Sequence, residues 1–114
     1  MTVTIPTDPR IEHVVLRAAD SERIRSDTAS VIERADGSLM AAYHSYAHGP
    51  DGGGDFGAAR IYLAQSDDGG RHWHDERMAA DIVPGDLNVM SPFLCRAEDD
   101  LLLGYVRNHS AGDT

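Results

Sequence analysis

The sequence predicts an all-β protein built from antiparallel four-stranded units. Three observations carry this expectation. Short apolar runs recur between turns rich in Gly and Asp. Helix signals are scarce: residues 18–25 form the one candidate, a short stretch with little apolar periodicity. The chain also repeats itself at an offset of 62 residues.

Val14-Val15-Leu16 reads as a strand, a candidate closing strand within an amino-terminal segment at 1–24. Residues 30–34 and 38–43 read as a hairpin around Ala35-Asp36-Gly37, where Asp-Gly favours the positive φ of a tight turn. Residues 58–65 form a third strand, 66–73 a tight turn, and a fourth strand falls within 75–82. In the repeat, residues 31–43 lie over 93–105. Arg34/Arg96, Ala35/Ala97, Leu39/Leu101 and Tyr43/Tyr105 are identical, and both turns fall in the same place.

A first unit therefore spans 25–84, and an incomplete second unit spans 85–114. A four-stranded meander repeated at this spacing is the pattern of a β-propeller blade. Each repeat buries its faces against its neighbours, so about three or more are needed for stability. The chain thus reads as the amino-terminal part of a longer protein, with a complete small β-domain as the alternative.

Composition narrows the partners. The 114 residues carry 41% hydrophobic and 25% charged side chains, as in soluble globular domains. Nineteen acidic against ten basic residues give a net charge of −9, and every basic residue is Arg. That balance argues against a nucleic acid or an anionic lipid surface as partner, since both need a basic footprint. No apolar run reaches the roughly 18 residues of a membrane helix. The start, MTVTIPTDPR, lacks a basic region followed by an apolar one, so the expectation is a cytoplasmic protein without a signal peptide. Cys95 is the only cysteine and follows Pro92-Phe93-Leu94, which reads as a buried core thiol.

Ser66-Asp67-Asp68-Gly69-Gly70-Arg71-His72-Trp73 fits the pattern S-x-D-x-G-x-x-W. The Ser hydroxyl and Asp carboxylate suit backbone N–H groups in a tight turn. Gly supplies a positive φ, and the Trp ring folds back over the turn. This resembles the Asp box, or BNR repeat, of sialidases and related β-propellers. Its residues Ser66, Asp68, Gly70 and Trp73 are structural rather than catalytic. The resemblance runs over residues 24–110: the hairpin with its Asp-Gly turn, a Gly-rich loop holding an Asp, the box, then Asn88-Val89-Met90-Ser91 and a further hairpin.

In an up-and-down meander successive turns alternate between the two ends of the strands. The 35–37 turn and the box share one end. The start of the first strand near Arg25, the loop at 45–57 and the region of Asn88 share the other. The resemblance implies a six-bladed propeller and a sialidase-like exo-glycoside hydrolase acting on a terminal sialic acid or related sugar. A non-catalytic Asp-box propeller that binds carbohydrate or protein is the alternative.

It further implies that Arg25, with Arg23 as the neighbouring candidate, binds the sugar carboxylate through a bidentate guanidinium pair. Arg25-Ser26-Asp27 stands where sialidases carry Arg-Ile-Pro. The acid/base carboxylate matches Asp55 first and Asp51 second, a role favoured by partial burial. Asn88 and Ser91 are candidates to line the same pocket, with Asn88 alternatively a turn residue before its strand. The Tyr nucleophile, its Glu partner and two further arginines would belong to later blades, so the fragment alone is expected to be inactive. Tyr43, Tyr46, Tyr62 and Tyr105 are assigned to packing or strand surfaces. His72 and His74 flank Trp73 on the far side from His48, so neither a metal nor another cofactor is expected.

Overall fold

A computed structural model describes residues 8–49 and 54–109. It is all-β, with no helix among the described residues. The strands are β1 (Arg23–Glu33), β2 (Leu39–Ala47), β3 (Ala59–Ser66), β4 (His74–Ala80), β5 (Asn88–Ala97) and β6 (Asp100–Asn108). The first four form an antiparallel sheet in sequence order, and β5 and β6 form a separate antiparallel hairpin.

Two amino-terminal expectations are corrected. Val14-Val15-Leu16 is not a strand: Val14 and Val15 are exposed, and Leu16 alone packs down, against the cluster of Ala41, Tyr43 and Ala64. Residues 18–25 do not form a helix either. The Asp20 carboxylate accepts the N–H groups of Glu22 (2.9 Å) and Arg23 (2.8 Å), a local turn that competes with helical pairing. The chain then enters β1 at Arg23, well ahead of the strand expected at 30–34.

The register fixes what each face of the large sheet presents. Met40, Ala42, His44 and Tyr46 of β2 share one face with Ala59 and Ile61 of β3, and all are buried. β5 packs across β1, β2 and β3 with Val89 fully buried, and the Leu94 N–H donates to Ser30 Oγ at 3.1 Å. On the opposite face Tyr43 and Tyr62 stack, with centroids 6.3 Å apart, beside Ala41, Ala64 and Trp73.

The internal repeat is present in the geometry with one refinement. Arg25 pairs with Tyr46 and Asp27 with His44, while Asn88 pairs with Asn108 and Met90 with Val106. The second strands of the two hairpins therefore correspond at an offset of 62, but the first strands correspond at 63. The difference lies in the turn: residues 35–37 connect the first hairpin, and Glu98-Asp99 alone connect the second. Leu39/Leu101 and Tyr43/Tyr105 thus occupy equivalent positions, whereas Arg34/Arg96 and Ala35/Ala97 are displaced by one residue. Both first strands carry a register shift at the corresponding place, marked by positive φ at Thr28 (53°) and Ser91 (54°).

Candidate functional site

Arg25 stands near the start of β1, and among the described residues its guanidinium reaches the carboxylates of Asp27 and Asp55. Nε donates to Asp27 Oδ2 at 2.7 Å and Nη2 lies 2.5 Å from the same oxygen. Nη1 donates to Asp55 Oδ1 at 3.1 Å, across the loop between β2 and β3. The Arg25 guanidinium carbon also sits 4.7 Å from the centre of the Tyr46 ring. These carboxylates raise the proton affinity of Arg25 above its ordinary value, which keeps it a fixed cation.

Asn88 anchors the loop that carries Asp55. Its Nδ2 donates to the carbonyls of Asp55 (3.0 Å) and Gly57 (2.9 Å), while Oδ1 accepts from Asn108 Nδ2 at 2.8 Å. Asn88 is fully buried and is the first residue of β5, not a residue of the preceding turn. Its polar atoms are spent on holding the loop rather than turned to solvent. Ser91, at the strained position of β5, donates its backbone N–H to His44 Nδ1 at 3.0 Å.

Arg25, Asp55, Asn88 and Ser91 therefore gather at one end of the strands, where the second unit meets the first. Asp55 is 69% exposed, in place of the partial burial expected of an acid. Asp51 lies outside the described residues. Arg23 is not part of this group. A register shift between Arg23 and Arg25 breaks the alternation of β1 and turns Arg23 to the other face. There its Nη1 meets Glu76 Oε1 at 2.5 Å, Nη2 donates to Ser45 Oγ at 3.0 Å, and the guanidinium lies 3.7 Å over the Tyr62 ring. Glu76 also accepts from the Tyr43 hydroxyl. Burial and the Glu76 carboxylate push the Tyr43 phenol well above its ordinary value, so it stays neutral.

Two residues of the site, Asp27 and His44, carry no sequence motif. His44 is 1% exposed, and its Nε2 lies against the Asp27 carboxylate. The signal available in the sequence was a His and a Tyr two apart, at 44 and 46, on a strand that otherwise reads as apolar.

The turn over residues 66–73 sits at the far end of the strands. Ser66 Oγ donates to Asp68 Oδ1 (2.9 Å) and accepts the Gly70 N–H (2.9 Å), while the His72 N–H donates to Asp68 Oδ1 (2.9 Å). These bonds, with the His72 ring, hold the Asp68 carboxyl well below the usual carboxylate range. Gly70 adopts φ 93°, and Trp73 Nε1 donates to its carbonyl at 2.8 Å. Each polar group of the box is thus engaged within the turn. His74 is paired with Asp67 (2.7 Å) and Asp75 (2.9 Å). No group of His, Cys, Asp and Glu among the described residues is arranged to hold a metal ion.

Cys95 is half-buried on the hairpin rather than in a core. It shares the outward face of β5 and β6 with Phe93 and Leu102, which no strand among the described residues covers. Comparison with protein-family models, curated proteins and solved structures returns no match.

Proposed function

We propose that the chain forms the amino-terminal blades of a sialidase-like β-propeller that releases a terminal sialic acid or related acidic sugar from glycans. The observation that carries this reading is the 3.1 Å contact between Arg25, from the start of β1, and Asp55, from the β2–β3 loop. It joins a fork-shaped cation with a solvent-facing carboxylate beside the junction of two repeats, an arrangement suited to an acidic sugar. Arg25 receives the sugar carboxylate in a bidentate pair, displacing Asp55 from the guanidinium. Asp55, released from the cation, takes a proton from water and stands over the leaving glycosidic oxygen to donate it. The nucleophile and the remaining arginines are assigned to further blades, which also cover the open apolar face of β5 and β6.

The test is turnover of a fluorogenic sialoside by the protein carrying those further blades. Asp55→Ala is expected to lower kcat/KM at least ~100-fold, the usual worth of a general acid. Unchanged kcat/KM would remove Asp55 from the reaction. A second reading, a non-catalytic Asp-box propeller that binds carbohydrate, draws on one observation: at 69% exposure the Asp55 side chain is well solvated. Glycan binding that depends on Arg25 without any turnover would favour it.

A further inference from the structure

His44 holds a place in this site that no motif announces. Its imidazole is buried, and Nδ1 accepts the Ser91 N–H at 3.0 Å. A ring nitrogen that accepts from an amide presents a lone pair, so the single proton of the neutral ring sits on Nε2. Nε2 faces the Asp27 carboxylate. The other oxygen of Asp27 receives Arg25 Nε at 2.7 Å, and Arg25 in turn reaches Asp55. One line of polar contacts thus leads from the backbone of the second unit, through His44 and Asp27, to the guanidinium.

The groups around His44 are Asp27 and Arg25 of β1, Asp55 of the β2–β3 loop, Ser91 of β5, and the Tyr46 ring, which stands nearly perpendicular with its centre 5.2 Å from that of the imidazole. The two carboxylates favour the imidazolium, while burial and Arg25 oppose it. Burial is the largest influence, so the ring is held neutral below its ordinary range.

We propose that His44 is a positioning residue for Arg25: its tautomer is set by the Ser91 amide, it orients Asp27, and Asp27 aims the guanidinium. The strained bulge of β5 is then what delivers the deciding N–H, so Arg25 is aimed only when the second unit is seated on the first. The functional meaning of this device rests on Arg25 being the carboxylate-binding residue. Its test does not.

The test is nitrogen-15 spectroscopy of the full 114-residue chain. His44 is expected to appear as the Nε2–H tautomer and to become charged only at a lower pH than an exposed imidazole. Exchange of the Arg25 Nε–H with water is the second readout. His44→Leu is expected to speed it about tenfold, with the Ile61 and Val89 amides still protected. His44→Gln, whose amide still donates to Asp27, is expected to restore slow exchange, which a purely space-filling role does not explain. If His44→Leu fails to fold, Asp27→Asn decides, and it too must speed exchange at Arg25. An Nδ1–H tautomer, a ring that charges as readily as an exposed imidazole, or unchanged Arg25 exchange in the variant that folds would each overturn the proposal. Lost sialoside turnover with these spectra intact would count against the functional reading alone.

Discussion

Arg23 and Arg25 lie two residues apart on one strand, yet they serve opposite faces of the sheet. The register shift between them sends Arg23 to Glu76 and Tyr62 and leaves Arg25 beside Asp27 and Asp55. The same strand also supplies the partner of His44, and that buried ring makes stability depend on pH. Its folded-state pKa lies below the ordinary 6.5, so unfolding below that value takes up a proton. The contribution is fully present above about pH 6.5 and is lost as pH falls through the lowered folded value, with a limiting slope of about 1.4 kcal/mol per pH unit. His74, raised by Asp75 and Asp67, acts in the other direction: its contribution is present below pH 6.5 and is lost as pH rises through its raised value. Urea midpoints of wild type and His44→Gln, measured from pH 7.5 to 5, are therefore expected to converge as pH falls. A difference that stays constant with pH would mean that His44 is not the group that titrates.

The turn over residues 66–73 shows how an element is built from local chemistry. Ser66 and Asp68 satisfy three backbone or hydroxyl donors, Gly70 takes a φ of 93°, and Trp73 closes the turn against the Ala41–Tyr43–Ala64 cluster. Trp73→Ala is expected to destabilise the chain by about 3 kcal/mol through lost aromatic packing, read as a lower denaturant midpoint with an unchanged slope. This turn was legible in the sequence because its bonds span at most four residues. So were the two hairpins, the first from its Asp36-Gly37 turn and the second from its likeness to the first at the repeat offset. The site was only partly legible. Alternation of turns along a meander brings Arg25, Asp55 and Asn88 to one end of the strands, and that rule needs no detail of packing. The bulge that turns Arg23 is matched to contacts with β2, β3 and β4, and the one that brings Ser91 to His44 is matched to a contact between units, so no local pattern marked them. The offset of one residue between the first strands was hidden for a related reason, since a shortened turn leaves the apolar pattern almost unchanged.

At the scale of the whole molecule the second unit packs on the first through β5. The face of β2 that carries Met40, Ala42 and His44 is buried under β5. The equivalent face of the second hairpin carries Leu102, Gly104 and Val106, with Phe93 laid over Gly104. Phe93, Leu102 and Val106 are 56%, 52% and 48% exposed, so the same kind of surface that is covered in the first unit is bare in the second. Two units stacked head to tail leave an apolar face at the end of the series. The 114-residue chain is therefore expected to self-associate with rising concentration over about 10–200 μM, the behaviour of a contiguous exposed apolar patch. Sedimentation velocity measures this directly. The double variant Leu102→Thr/Val106→Thr keeps strand propensity and charge while removing apolar surface, and it is expected to stay monomeric with an unaltered β-sheet circular dichroism spectrum. Association that persists in the double variant would locate the contact elsewhere, at the open edge of β4 or β6. A wild-type chain that remains monomeric over the whole range would mean that Phe93, lying across Gly104, already screens the face from a second copy.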